Sequence, residues 1–267
     1  MRNLRIGGVL VGLVVLVALV SFVWTPHDPL KVDASIRLLG PSRDYWLGTD
    51  KFGRDVLSQI MVGARTTLYV GVIAVGVAAL IGTPLGILAG MSKNWLGELI
   101  MRANDLVLAF PALLLAIMFG AVYGASTVTA MIAIGIATVP SFARIARSGT
   151  LQVMSTEYVL AARSAGRSRL SIARRHVLPN TAGLVIVQSS VSFAIAVLAE
   201  AALSFLGFGT RPPTPSWGRM LQESQELLTV QPRLALVPGI AIAVAVLGFN
   251  LLGDGLRDRF DPRLERR

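Results

Sequence analysis

The sequence predicts an all-α integral membrane protein with six transmembrane helices, and three observations support that fold class. Hydrophobic residues make up 54% of the 267 residues, whereas charged residues make up only 15%. The mean hydropathy is +0.66, and apolar runs near the length of about 20 residues that crosses a bilayer recur along the chain. The net charge of +10 would suggest nucleic-acid binding in a soluble protein, but this apolar background favours a membrane.

The first predicted span, residues 6–24, is interpreted as a retained helix and not as a signal peptide. Arg2 and Arg5 precede 19 mostly apolar residues, a run longer than the hydrophobic region of a cleavable signal. The SFVWTPHDP sequence at its end contains no A-x-A-like cleavage site. The remaining predicted spans are residues 67–90, 106–124, 126–142, 181–207 and 234–253.

The lysines and arginines predict that both termini are cytoplasmic. With the N-terminus inside, the two outside loops, residues 25–66 and 208–233, hold 9 of the 25 basic residues. The other 16 are inside, as the positive-inside rule expects. The inside segments are residues 1–5, 91–105, 143–180 and 254–267.

Small residues in the second span predict a close helix contact. Gly82, Gly86 and Gly90 lie four apart and therefore share one helix face, where a neighbouring helix can approach closely. The alternative is that glycine is simply common in membrane helices. Kinks are expected at prolines within three spans, namely Pro84, Pro111 and Pro238.

No catalytic or metal-binding motif is recognisable. The chain has no cysteine, and its two histidines, His27 and His176, are far apart in the sequence. Phosphate-binding loops of the G-x-x-x-x-G-K-[ST] type, H-E-x-x-H and nucleophile elbows are missing from the sequence. We therefore expect no catalytic, cofactor-binding or metal-binding residues, so any ATP must be bound by another chain.

The charged segment EYVLAARSAGRSRLSIARRHVLPN, residues 157–180, interrupts the apolar pattern. It predicts two short helices, the first capped by Ser155 or Thr156 with Glu157 near its positive N-terminal end. A solvated loop that only anchors the topology is the alternative, but it does not explain the regular spacing of small residues.

Three residues are expected to set where these two short helices begin and end. Gly166 is placed to end the first helix in a left-handed conformation. Ser168 is placed to cap the second helix, and Pro179 is expected to stop it before the next span.

The spacing resembles the EAA signature of permease subunits in bacterial ABC importers. That signature is Glu-Ala-Ala, three residues, Gly, nine residues and Ile-x-Leu-Pro, and this chain departs from it at Leu160 and His176. Glu157, one turn earlier, is a candidate replacement for the missing glutamate. The matching positions are Ala161, Ala162, Gly166, Leu178 and Pro179.

Three other segments resemble dipeptide/oligopeptide/nickel-type permeases, and the N-terminal HDP segment suits their "C-type" dipeptide subunit. The resemblance covers most of residues 27–263. The segments are LGTDKFGRDVLSQIMVGARTTLYVG, AEAALSFLGFGTRPPTPSWGRML and NLLGDGLRDRFDPR.

The resemblance implies the type I ABC importer permease fold in the bacterial inner membrane. The expected partners are a sibling permease, two ATP-binding subunits that hold ATP and Mg, an extracytoplasmic substrate-binding protein and the lipid bilayer, with no nucleic acid. The signature would form a coupling helix that docks on an ATP-binding subunit. The residues expected to make that contact are Glu157, Ala161, Ala162, Gly166, Ser168, Leu178 and Pro179.

The chain is accordingly divided into three parts. Residues 1–66 would form an N-terminal transmembrane helix with an outside segment. Residues 67–253 would form a five-helix core that includes the coupling loop at 143–180. Residues 254–267 would form a cytoplasmic tail.

Glu200 is an ionisable residue predicted to lie well inside a span. A charge there costs about 2.5–3.5 kcal/mol on insertion scales, so its side chain should face protein or water. It either lines a translocation path or is bonded to a neighbouring helix or outside-loop backbone.

The outside segments offer candidate contacts for a binding protein. Asp50, Arg54 and Asp55 would form either a local ion pair, the favoured interpretation, or a docking surface. Trp217 follows a proline-rich segment and would lie either at the membrane interface or against a binding protein.

The function expected from the sequence is that of a permease subunit in an ATP-driven importer of di- or oligopeptides. The alternatives are nickel, haem or another small cargo on the same scaffold, or an ion-coupled secondary transporter. The arginines of the 157–180 segment would hold the topology, bind anionic lipid headgroups or pair with acidic groups on the ATP-binding subunit.

Overall fold

The computed structural model of the protein describes residues 2–92 and 95–260, most of which are helical. Residues 261–267 of the predicted tail lie outside the described residues. The α-helices are α1 (Arg2–Val23), α2 (Val56–Met91), α3 (Trp95–Leu108), α4 (Ala112–Tyr123), α5 (Thr127–Met154), α6 (Glu157–Ser164), α7 (Arg169–Ile172), α8 (Leu178–Phe205), α9 (Trp217–Ser224) and α10 (Arg233–Phe260). Short 3₁₀ helices cover Ala34–Ile36 and Gln225–Leu227, and a π turn covers Ala173–Val177.

Within the described residues, five helices are each long and apolar enough to cross a membrane. They are α1, α2, α5, α10 and one continuous 37-residue helix that combines α7, the π turn and α8. The predicted third span is the sixth only if α3 and α4 are counted together.

The bend expected at Pro111 is present, and it divides the third span into two helices. α3 and α4 meet at an angle of 82°, and Pro111 occupies the N-cap of α4. The 12 residues of α4 would reach about 18 Å at 1.5 Å per residue, less than the about 30 Å of a bilayer core. A crossing at this point therefore requires residues of α3 before the predicted start at residue 106.

Two of the helices that extend beyond their predicted spans are α2 and α5. α2 starts at Val56 and not at residue 67, because the Asp55 carboxylate accepts a 2.9 Å hydrogen bond from the Ser58 N–H and caps the helix. α5 continues beyond residue 142 to Met154. Twelve residues of the predicted coupling segment 143–180 therefore belong to α5.

The predicted glycine contact is confirmed, and the partner is α5. An added Cβ at Gly86 would lie 2.7 Å from the Ala146 Cβ, and one at Gly90 would lie 2.7 Å from the Thr150 Cβ. Gly82 likewise faces the α5 backbone at Val139. The two helix backbones approach so closely only because these positions lack side chains.

A second glycine contact, between α1 and α10, was not predicted. Gly248 faces Leu10 and Val11, and Gly255 faces the backbone of Leu4. The start of α1 and the end of α10 therefore lie together. Phe260, at the end of α10, contacts Gly183 near the start of α8. We call this end of the bundle the loop end, because α6 and α7 lie there, and the opposite end the far end.

Replacing Gly86 with alanine should destabilise the protein, because the added methyl group would overpack the α2–α5 contact at a typical cost of about 1–3 kcal/mol. Gly76→Ala is a matched control in the same helix, since a Cβ there has no atom within 4 Å. Thermal unfolding of the detergent-purified protein measures the difference. Equal melting temperatures for the two variants would show that the contact tolerates a side chain.

Candidate functional site

The α6–α7 loop, residues 155–177, connects α5 to α8 at the loop end. Gly166 ends α6 with a φ of +77°, a left-handed conformation that glycine adopts without steric cost. Its N–H bonds to the Arg163 carbonyl at 2.9 Å, and the Arg167 N–H bonds to the Ala162 carbonyl at 3.1 Å. These two bonds form the Schellman motif that the sequence predicted at this glycine.

Only one of the two predicted N-caps forms. The Ser168 hydroxyl accepts the Ser171 N–H and caps α7. Thr156 occupies the N-cap of α6, but its hydroxyl donates to the Val153 carbonyl at 2.6 Å and makes no capping bond. Ser155 likewise donates to the Gln152 carbonyl. The predicted side-chain cap of α6 was wrong because the last turn of α5 offers free carbonyl groups to both hydroxyls.

Three buried apolar residues attach the α6–α7 loop to the bundle. Val159, Ile172 and Val177 are each at most 1% exposed. They form a cluster with Ile87 of α2 and with Ala146 and Val153 of α5. The loop is therefore a packed unit seated on the α2–α5 pair and not a free linker.

The signature residues themselves are mostly exposed. Ala162 is half-buried, and Leu160, which stands at the position of the signature glutamate, is 50% exposed. The five arginines of the loop are also exposed, so the loop presents small, apolar and basic groups to a partner. The other exposed signature residues are Glu157, Ala161, Gly166, Ser168, Leu178 and Pro179.

Pro179 does not stop the helix as predicted. The Leu178 N–H bonds to the Ala173 carbonyl, five residues back, so the turn before the proline is widened. A widened turn makes room for a ring that would clash with the preceding carbonyl in a regular helix. α7 therefore continues through the π turn into α8 as one helix.

Glu200 lies near the far end of α8 and is 1% exposed. Its Oε1 accepts the Ser204 hydroxyl at 2.6 Å and the Thr210 hydroxyl at 3.3 Å. The Thr210 N–H in turn bonds to the Ser204 hydroxyl at 3.0 Å. This arrangement ties the loop after α8 to the helix and favours the structural role over a place on an open path.

Asp50 and Arg54 form the predicted ion pair, with 2.6 Å between the Arg54 Nε and the Asp50 Oδ2. Arg54 also pairs with Glu223, which accepts a 2.7 Å bond from Arg219 in α9. The Arg54 side chain is 9% exposed, so the pair joins the segment before α2 to α9 and presents little charge for docking. Glu223 and Arg219 were not identified from the sequence.

Trp217 is buried at 2% exposure, so neither of its two predicted surface positions is correct. Its indole N–H donates to the Ile60 carbonyl at 3.0 Å. The ring packs on Gly63, where an added Cβ would lie 2.6 Å from the indole. The glycine leaves room for the ring against α2, and no sequence pattern indicates this pairing.

Among the described residues, no three His, Asp or Glu side chains are grouped to hold a metal ion. The candidate site residues fall into two groups. Those of the α6–α7 loop are mostly exposed and available for contact with another protein, whereas those at the far end are buried and bonded to other segments of this chain.

The chain matches the family model described as "Binding-protein-dependent transport system inner membrane component" over residues 82–266. It is 42% identical to the dipeptide transport system permease protein DppC of Alkalihalophilus pseudofirmus, over 97% of this chain and 86% of that protein. It is also 42% identical to the glutathione transport system permease protein GsiD of Pectobacterium atrosepticum, over 85% of this chain and 75% of that protein.

The fold is similar to a chain of the MetNI methionine ABC transporter solved in inward-facing conformations. The TM-score is 0.64 at 15% identity, and the match covers 76% of this chain and 96% of that chain. This similarity supports the predicted type I permease fold.

Arg54→Met should lower the melting temperature of the purified protein much more than Arg102→Met. Removing Arg54 leaves the Asp50 carboxylate without its cation in a largely buried site and leaves Glu223 with only Arg219, a loss of about 3 kcal/mol for buried pairs. The Arg102–Glu98 pair is more than two-thirds exposed on both sides, and such pairs contribute under about 1 kcal/mol. Equal shifts in the two variants would contradict the bracing role of Arg54.

Glu200→Gln should leave both stability and transport near wild type, because an amide oxygen can accept the same two hydroxyl bonds. Glu200→Leu should lose about 1–3 kcal/mol, since it leaves buried hydroxyl groups unsatisfied. Thermal unfolding and uptake assays on both variants separate the roles. A stable Glu200→Gln protein that no longer transports would instead support a role in the path.

Proposed function

The chain belongs to the family of binding-protein-dependent transport system inner membrane components, and from that premise we propose that it is the permease subunit of an ATP-driven importer of short peptides. Its relatives transport dipeptides and glutathione, which is itself a short peptide. The matches cover 86% of the dipeptide permease and 75% of the glutathione permease, so the likeness extends over most of each relative and favours a peptide cargo. Nickel, haem or another small cargo on the same scaffold is the second candidate.

The observation that carries the coupling role is the construction of the α6–α7 loop. Its signature residues are exposed, while Val159, Ile172 and Val177 fix it to α2 and α5. A partner that moves this loop would therefore move helices and not a flexible connection. We assign the loop as the docking element for an ATP-binding subunit, with the five arginines available for acidic groups or lipid phosphates.

The position of the two chain termini in the bundle supports a topology in which both are cytoplasmic. The start of α1, the end of α10 and the α6–α7 loop lie together at the loop end. If this end is cytoplasmic, the excess of basic residues is inside, as the positive-inside rule expects. The loop is then on the side where ATP is available.

The full importer would contain a sibling permease, two ATP-binding subunits and an external binding protein that delivers the peptide. The ATP-binding subunits would hold ATP and Mg. ATP binding would close those subunits and favour the outward-facing arrangement, and hydrolysis would return the assembly to the inward-facing one. In this scheme the present chain performs no chemistry and supplies half of the path.

An ion-coupled secondary transporter remains the alternative from another class. Such proteins are expected to carry more ionisable groups near the midplane. The buried Glu200 is bonded within this chain, which does not favour an ion-binding role.

Gentle detergent purification tests the assembly directly. The tagged chain, expressed with its genomic neighbours, should retain an ATP-binding subunit, and reconstituted vesicles should take up a labelled dipeptide only with ATP inside. Purification of the chain without an ATPase, or uptake that depends on an ion gradient alone, would refute the proposal.

Gly166→Pro should abolish both ATPase attachment and peptide uptake while the chain still inserts in the membrane. Proline cannot adopt a φ of +77° and lacks the N–H that bonds to the Arg163 carbonyl. Gly124→Pro is the matched control, because Gly124 has a φ of +86° at the end of α4, outside the α6–α7 loop. It should retain the ATPase, and wild-type uptake by Gly166→Pro would show that the left-handed end of α6 is not needed for coupling.

A further inference from the structure

An open groove of about 940 Å³ runs between α5, α8 and α10 in the half of the bundle nearest the loop end. The function assigned above does not use it. Its wall carries polar side chains from all three helices. The polar residues are Ser148, Gln152, Asn180, Gln188, Asp254 and Arg257.

The position of Gln188 argues that this groove does not face lipid tails. Gln188 lies seven residues after the start of the predicted 181–207 span, about 10 Å along the helix at 1.5 Å per residue, which is inside a bilayer core. Its amide donates one bond to the Ser192 hydroxyl at 3.0 Å, which uses one of its two N–H groups. Unsatisfied amide groups are costly in hydrocarbon, so the groove must face water, cargo or protein.

Two opposite charges stand at the mouth of the groove. Asp254 and Arg257 are three residues apart on α10, so they lie on neighbouring turns of one helix face, and both are exposed. Neither takes part in a salt bridge within the described part of the chain. A free peptide has the complementary pair, an ammonium group and a carboxylate at its two ends.

The size of the groove favours cargo over a helix of the sibling permease. Binding sites for small organic molecules are typically clefts of about 300–1,000 Å³ with a few polar groups on an otherwise apolar wall. This groove has that volume and that lining. A sibling helix, by contrast, would be expected to pack on small apolar residues and would leave the amide and charged groups without partners.

We propose that this groove is the part of the peptide path that the chain contributes on its loop-end side. Gln188 binds the peptide backbone, while Asp254 and Arg257 bind its ammonium and carboxylate ends. The inference rests on the proposed importer function and adds the residues that handle the cargo. It also assigns a role to the NLLGDGLRDRFDPR segment, which contains both charges.

Single-cysteine labelling tests whether the groove is water-filled and occupied by peptide, since the native chain contains no cysteine. In the assembled importer, Gln188→Cys should react with a water-soluble maleimide roughly tenfold faster than Leu198→Cys, because only a hydrated thiol ionises readily. Leu198 is exposed on α8 but does not line the groove. A saturating dipeptide should slow the reaction at position 188 only.

Two labelling results would overturn the proposal. One is that Gln188→Cys reacts no faster than Leu198→Cys. The other is that Gln188→Cys reacts fast but a saturating dipeptide does not slow the reaction, which would show that cargo does not occupy the groove.

Uptake by reconstituted vesicles tests the charged pair. Asp254→Asn and Arg257→Gln should each lower dipeptide uptake roughly tenfold, as expected for loss of a hydrogen bond to a charged group. The controls Asp258→Asn and Arg259→Gln change the same residue types on exposed positions of α10 that do not line the groove. They should transport like wild type, and all four variants should retain the ATP-binding subunit.

The failure of this inference is distinguishable from failure of the importer function. If wild-type vesicles import no peptide, the proposed function is wrong. If wild type imports peptide and the groove variants equal their controls, the function stands and the groove assignment is wrong.

Discussion

The close approach of α2 and α5 is the constraint on which the rest of the structure depends. Because Gly82, Gly86 and Gly90 lack side chains, the two backbones meet along three successive turns. Hydrophobicity does not drive helix association inside a membrane, so contact at this distance supplies the attraction through dispersion. The same pair then carries Ile87, Ala146 and Val153, which form the seat for the α6–α7 loop. A bulkier residue in the stripe would therefore disturb both the core and the position of the loop.

The α6–α7 loop is also joined to the bundle by a continuous helix. α7, the π turn and α8 form one element from Arg169 to Phe205, and Pro179 is accommodated within it. A displacement of the loop is therefore transmitted along the helix without a flexible joint. π turns occur often at functional sites, and this one ends the α6–α7 loop immediately before the groove-lining residues Pro179 and Asn180.

The sequence was sufficient for features that depend on local rules. Apolar run length located the spans, four-residue spacing located the glycine stripe, and helix-ending chemistry located Gly166 and Ser168. It could not separate buried from exposed apolar residues in the α6–α7 loop. Val159 and Ile172 are buried, whereas Leu160 and Leu170 are exposed, and nothing in their local pattern distinguishes the two pairs.

Two features that the sequence did not reveal depend on partners distant in the chain, and a third depends on a local change of helix geometry. Trp217 is buried because Gly63, over 150 positions earlier, leaves room for the indole. Arg54 is braced by Glu223 in α9, and no spacing rule connects residues so far apart. Pro179 was expected to end a helix because proline usually does, but a widened turn before it removed the clash.

The two ends of the molecule differ in a way that suits a lever. At the far end, Arg54, Glu200 and Arg233 each bond to a different segment of the chain, with Arg233 donating to the Leu47 carbonyl at 2.6 Å. At the loop end, the signature residues and arginines are mostly exposed. In the proposed importer, a force on the α6–α7 loop would act on a continuous helix whose opposite end is bonded to other segments of this chain, so the helix would tilt as a unit. Such a tilt would move the loop-end half of α8, which forms one wall of the polar groove. The buried carboxylate of Glu200, which is expensive to place in a membrane helix, would then hold the far end of that helix to the loop that follows it.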